Sequence, residues 1–243
     1  MKTIDYIHFE IIDSTNTWVK VNAHTLNPER LTCVTASQQT RGRGRFARTW
    51  VSPIGNLYAT LFFTLPPQAP YLSNLGQILA YSCACILNEQ EFKAQIKWPN
   101  DLLIEGKKVA GILCETMTLN GQMGVALGIG ININIEKVLL KTINQPATSL
   151  AQLSQKTWDV KQILNLLLDH FREDLNMLPT QGFAPFQADF QRLLAHQGKE
   201  LQCHDGTTTL KGICQGITQD GQLKLILPSG GLKKLAAGEI GLE

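Results

Sequence analysis

Between Ala94 and Ile135 the chain reads as short strands separated by tight turns. The segments AQIKW, DLLIEGKKVAGILCETM and GQMGVALGIGININI are broken by Glu105-Gly106-Lys107 and Asn120-Gly121. Glycine-bearing turns of this length favour hairpins, which place neighbours in sequence beside each other in one sheet. The middle of the chain is thereby committed to β-sheet. TIDYIHFE (3–10), LTCVTA (31–36) and NLYATLFFTL (56–65) supply three more predicted strands. Helical spacing appears in DSTNTWVKVNA, with Ser14 or Thr15 as N-cap, and over 74–90, where Leu75, Ile78, Leu79, Ser82, Cys83 and Ile86 fall at helical spacing. Two amphipathic helices are predicted over 157–177 and 183–195, the first capped by Thr157 or Asp159, with Ile163, Leu166, Leu167 and Phe171 on its apolar face. Strand runs mixed with helices give an α+β fold, a mixed β-sheet with flanking helices.

After AHQGKE the texture changes. About four short strands with Asp205-Gly206, Asp220-Gly221 and Gly230-Gly231 turns leave little room for a helix. This predicts a small C-terminal β-barrel and a division into residues 1–195 and 196–243. The 243 residues, 44% hydrophobic and 17% charged, suffice to bury a core of useful size. A net charge of +2 argues against a general nucleic-acid binder, and no apolar run is long enough to span a membrane. The N-terminus lacks the basic-then-apolar order of a signal peptide. Six cysteines without CxxC or zinc spacing read as reduced thiols, so a cytoplasmic location is expected.

Against this neutral background, QQTRGRGRFARTW (38–50) concentrates Arg41, Arg43, Arg45 and Arg48 in a glycine-rich loop between two strands. Guanidinium groups match phosphate and carboxylate oxygens, and Gly42 and Gly44 let backbone lie against a ligand. Such a loop is poorly ordered when empty, because its charges repel and its glycines are costly to fix. KWPND places Lys97 at a strand end, with Asn100 and Asp101 free to bind polar groups or hydrated Mg²⁺. GKKVAGILCE sets Lys107 and Lys108 at a hairpin bend, and the strand glycines Gly128 and Gly130 mark a close approach by ligand or backbone.

Taken in order, STN (14–16), QTRGRGRFARTWVSPIGNLY (39–58), KWPNDLL (97–103), GKKVAGIL (106–113) and GIGININ (128–134) resemble the catalytic core of biotin–protein ligases. The resemblance extends through the C-terminal β-region. It implies a class II synthetase-like catalytic domain followed by an SH3-like barrel, in the form lacking the N-terminal helix-turn-helix repressor domain. Two departures stand out: Ala47 replaces a common glycine, and SPIGNLY is one residue short. The implied activity joins biotin to ATP as biotinyl-5′-AMP. It then passes biotin to a lysine of the biotin carboxyl carrier protein of acetyl-CoA carboxylase. Biotin is the substrate, ATP and Mg²⁺ are required, and neither specific DNA nor membrane binding is expected; a homodimer is compatible.

By the same resemblance Arg43, Arg45 and Lys97 are catalytic, holding the carboxylate against the α-phosphate. Ser14, Thr15, Asn16, Gln39, Arg43, Gly44, Arg45, Lys97 and Gly128 bind biotin. Arg43, Arg45, Arg48, Trp50, Asn100, Asp101, Lys108 and Asn132 are assigned to ATP or its Mg²⁺, with no metal ligand fixed. Two other readings are a lipoate-type ligase, against which the GRGR and KWPND segments argue, and a non-catalytic nucleic-acid binder.

Overall fold

The structure is a computed structural model that describes residues 3–204 and 208–241. Seven strands form its main sheet: β1 (Ile4–Ile12), β2 (Leu31–Gln39), β3 (Leu57–Leu65), β4 (Gln95–Lys97), β5 (Asp101–Ile104), β6 (Lys107–Leu119) and β7 (Gln122–Ile131). Their order is β1-β2-β3-β7-β6-β5-β4, with β1 and β2 parallel and every other neighbour antiparallel. The two predicted turns close the β5–β6 and β6–β7 hairpins, with Gly106 and Gly121 at positive φ.

Alternation along the central strands sends side chains to two faces. Val34, Phe62 and Ala126 meet Val19 of α1 (Thr15–Asn22) and Ala23, which directly follows it. Cys33, Leu61, Phe63, Val125 and Leu127 point the other way, into the main core with α2 (Leu75–Glu89). Two short helices follow the sheet, α3 (Lys137–Leu140) and α4 (Leu150–Ser154). Then α5 (Val160–Gln181) packs on α2 through Ile163, Leu164, Leu167, Leu168 and Phe171.

Asp159, not Thr157, caps α5, its carboxylate accepting from the Lys161 and Gln162 amides. That helix runs four residues beyond the predicted Met177, accommodating Pro179 near its end. The predicted helix at 183–195 is shorter: a 3₁₀ turn over Ala184–Phe186, then α6 (Gln187–Leu193). The C-terminal region holds five strands where about four were expected: β8 (Glu200–His204), β9 (Thr209–Ile217), β10 (Leu223–Ile226), β11 (Leu232–Leu235) and β12 (Glu239–Gly241). They form an antiparallel sheet of the SH3-like kind, ordered β11-β10-β9-β8-β12. The Asp205-Gly206 turn lies outside the described residues. All six cysteines are free, and no helix among the described residues is long and apolar enough to cross a membrane.

Candidate active site

The helix α1 packs on one face of β7 at Ala126 and reaches Gly128 only with the polar side chain of Asn16, so Gly128 and Gly130, next on that face, floor a cavity. Thr60 of β3 lies opposite Gly128, and Gly111 of β6 lies opposite Gly130. The cavity and the open space at its mouth together hold about 920 Å³. Ser14, Thr15, Asn16, Gln39, Arg43, Gly44, Arg45, Arg48, Trp50, Lys97, Asn100, Asp101, Lys108 and Gly128, every residue expected at the site except Asn132, line it. Asn132 is buried and donates its amide to the Thr148 carbonyl at 3.1 Å, so it braces the turn before α4 instead.

One end of the cavity is neutral and polar. The amide nitrogen and hydroxyl oxygen of Thr15 lie 2.9 and 3.2 Å from Gln39 Oε1, and Gln39 Nε2 donates to Ser52 Oγ at 3.1 Å. Thr60 Oγ1 lies 2.6 Å from Asn16 Oδ1 and 2.8 Å from Thr15 Oγ1. Because a hydroxyl has one proton and the Asn16 carbonyl only accepts, Thr60 donates to Asn16. The Thr15 hydroxyl is then the donor to Thr60 Oγ1, because two hydroxyl oxygens 2.8 Å apart need a proton between them, and the Thr15 amide serves Gln39 Oε1. Asn16 Nδ2 spends its protons on the Leu113 carbonyl (3.2 Å) and Glu115 Oε2 (3.1 Å). Asn16 thus lies directly over Gly128, where a β-carbon would stand 2.0 Å from its Oδ1. Ser14 is the α1 cap, its Oγ accepting from the Thr17 amide.

Glu115, absent from the sequence reading, anchors this end. It pairs with Lys20 at 2.7 Å and Arg43 at 3.5 Å. Burial alone would raise its pKa, but the hydrogen bonds from Lys20 and Asn16 and the charges of Lys20 and Arg43 hold it below the usual carboxylate range. No motif pointed to Glu115; only the β6–β7 register brings it beside α1.

The other end is cationic. Residues 42–50 form a small hairpin: Gly44 N donates to Arg48 O at 2.8 Å, and Trp50 N donates to Gly42 O at 2.9 Å. Gly42 serves this closure, because a β-carbon there would lie 2.4 Å from both Ser52 Oγ and Trp50 O; Gly44 has ordinary room. Arg45 and Arg48 flank the exposed Phe46 ring at the tip, 5.0 and 5.9 Å from its centre. The Trp50 indole lies across Gly111 and Gly130, with Lys108 Nζ 5.4 Å from the ring centre. Its buried Nε1 has no hydrogen-bond partner among the described residues.

Five cations (Arg43, Arg45, Arg48, Lys97, Lys108) and two carboxylates (Asp101, Glu239) line the cavity. The carboxylates are committed: Asp101 pairs with Lys108 at 2.7 Å, and Glu239 of β12 holds Arg48 in a two-pronged contact. Burial opposes ionisation of Glu239, but the Arg48 hydrogen bond and the charges of Arg48, Lys97 and Arg45 keep its pKa low. Asn100 donates to the Ile112 carbonyl at 2.6 Å. Half-buried Lys97 has no hydrogen bond or ion pair among the described residues, and burial lowers its pKa against the pull of Asp101. An uncompensated ammonium in a partly dry cavity is costly unless an anion arrives. No group of three or more His, Cys, Asp or Glu side chains is arranged to hold a metal among the described residues.

Residues 8–134, which contain nearly all of this lining, match the family model described as "Biotin/lipoate A/B protein ligase family". The chain belongs to that family. A biotin–[acetyl-CoA-carboxylase] ligase from Paracoccus denitrificans is 34% identical over 205 residues, covering 81% of this chain and 85% of that protein. The bifunctional ligase/repressor BirA of Escherichia coli is 30% identical over 236 residues, covering 96% of this chain and 72% of that one. Among solved structures, the Aquifex aeolicus biotin protein ligase in complex with biotin and ATP superposes with a TM-score of 0.84. Its sequence is 30% identical, with 98% of this chain and 97% of that chain covered. The ligase family and the mixed-sheet fold with an SH3-like second sheet are those expected from the sequence.

Proposed function

We propose that this chain activates biotin with ATP and transfers it to a lysine of the biotin carboxyl carrier protein of an acetyl-CoA carboxylase. The observation that carries the reading is Lys97, an unpaired ammonium lining the same cavity as a neutral polar pocket and an arginine hairpin. Biotin's ureido ring is uncharged, which suits the Thr15–Gln39–Thr60–Asn16 network over Gly128. Its carboxylate would then extend toward Lys97. The nucleotide would take the end floored by Gly130 and Gly111, where Trp50 offers a stacking face and Lys108, Arg45 and Arg48 offer cations.

The carboxylate oxygen attacks the α-phosphorus and pyrophosphate leaves. Two anions must be held together while charge builds on the phosphoryl oxygens, so Arg43, Arg45 and Lys97 act by positioning and electrostatics. In the second step the acceptor's neutral ε-amine attacks the acyl carbon and AMP leaves. No protein nucleophile is needed. Magnesium enters as MgATP, part of the substrate, with Asp101 the carboxylate nearest the Lys108 end of the cavity. We assign catalysis to residues 1–195 and the smaller sheet to 196–243, and a reducing, cytoplasmic setting suits the six free thiols.

The test is incubation with MgATP, biotin and a biotin carboxyl carrier domain, followed by intact-mass measurement of that domain. One added biotinyl group per domain is expected. An unmodified domain, or modification only when lipoate replaces biotin, contradicts the proposal.

A further inference from the structure

Besides the Glu239–Arg48 pair, the second sheet meets the main body through a buried turn. At Asp220-Gly221, between β9 and β10, the Gly221 carbonyl accepts from Gln77 Nε2 at 2.7 Å and from Trp98 Nε1 at 3.0 Å. Both lone pairs of that oxygen are thus in use. Asn74 Nδ2 completes the set, donating to the Asp220 carbonyl at 3.0 Å and to Gln77 Oε1 at 2.7 Å. The turn is closed on itself by Gly221 N to Thr218 O and Thr218 N to Gln222 O, at 3.0 and 2.9 Å. Asn74, Gln77 and Trp98 are 5%, 4% and 1% exposed, so water cannot readily replace these bonds. A β-carbon on Gly221 would fall 2.3 Å from Gln77 Oε1, which makes any side chain there incompatible with the interlock.

Trp98 directly follows Lys97. Ile96, in β4, and Trp98, in the turn after it, are buried in the core, while Lys97 between them is half-buried and lines the cavity. The backbone at Ile96 is held by Ala195 N at 2.9 Å, and the Trp98 side chain by Gly221. The root of the Lys97 side chain is therefore pinned on both sides, while its flexible four-carbon stem has no partner of its own. Two buried amide side chains and an indole exceed what docking one turn requires, since apolar contacts would hold it without desolvating polar groups.

We infer that the Asp220-Gly221 turn is a positioning element for Lys97, acting through the hydrogen bonds that Gln77 and Trp98 make to the Gly221 carbonyl. This rests on the adenylation reading above. An ångström of misplacement at a catalytic group costs up to about a hundredfold in rate. Loosening one of two bonds at the root of a long side chain is expected to cost about tenfold.

The experiment is a double-mutant cycle read by single-turnover formation of biotinyl-AMP, with wild type, Gln77→Leu, Lys97→Met and the double variant. Gln77→Leu is expected to slow the wild-type reaction about tenfold, but the Lys97→Met reaction less than about twofold. A purely structural role predicts equal slowing in both backgrounds, and that result, or no slowing in either, overturns the inference. If Gln77→Leu does not fold, Trp98→Phe enters the same cycle, since it removes the donor and keeps an aromatic ring. Wild type that makes no adenylate sinks the adenylation reading itself. Active wild type with equal losses sinks only the positioning role.

Discussion

Placing a methyl group on Gly128 tests the polar end of the cavity. The new β-carbon would stand 2.0 Å from Asn16 Oδ1 and 2.8 Å from Asn16 Cγ, so Gly128→Ala must expel the Asn16 side chain from its seat. Three hydrogen bonds go with it, to Thr60, the Leu113 carbonyl and Glu115. At about 1 kcal/mol for each neutral bond and about 2 for the one to a carboxylate, the loss is on the order of 4 kcal/mol. For a chain of this length that corresponds to a fall in Tm of roughly 10 °C. Biotin affinity, measured by calorimetry, should weaken by at least about tenfold, because the methyl group also occupies the pocket floor. In an Asn16→Ala background the same substitution should cost less than about 1 kcal/mol, as the clashing group is gone. A Gly128→Ala protein that melts within about 1 °C of wild type and binds biotin equally well would refute both the packing and the site assignment.

His196 is buried with both ring nitrogens unpartnered among the described residues, and burial, with the charges of Lys199 and Lys97, lowers its pKa from 6.5 to about 4. Between those values the unfolded chain binds the extra proton, so stability is lost as pH falls from 6.5 to about 4, by on the order of 3 kcal/mol. Denaturant titrations across that range should show a shallower slope for His196→Leu; an unchanged slope would contradict it. Glu239→Ala should raise KM for ATP about fivefold by releasing Arg48, yet move Tm little, because the pair is partly exposed. Unaltered ATP kinetics would show that the pair does not orient Arg48 for the nucleotide. The amides of Gly44 and Trp50, bonded across the arginine hairpin, should exchange more slowly with biotin and ATP bound than without. Equal exchange in both states would contradict ligand-driven closure.

The sheet was legible because its signals are local: Gly106 and Gly121 mark hairpin turns, and the β-branched and aromatic run before Leu65 marks a strand. The cap of α5 was narrowed to two residues and settled by which side chain reaches the Lys161 and Gln162 amides. The cationic half of the site was legible for the same reason, its arginines being neighbours in sequence. Long-range partners were not. Glu115 reaches Asn16 across 99 residues and Glu239 reaches Arg48 across 191, and neither pairing leaves a trace in spacing. Asn132 shows the converse: a motif residue whose amide serves a neighbouring turn instead of the cavity. Gly42 likewise sits in the glycine–arginine run expected to meet a ligand, while its missing β-carbon serves hairpin closure.

The central claim is that Lys97 and the arginine hairpin hold two anions together for reaction. Its most direct test is the rate of biotinyl-AMP formation from biotin and MgATP by wild type, Arg45→Ala and Lys97→Ala, each first shown to fold by circular dichroism. The account predicts adenylate from wild type and rates lower by about a hundredfold or more in both variants, as when a preorganised electrostatic donor is removed. Folded variants that form adenylate as fast as wild type would contradict it.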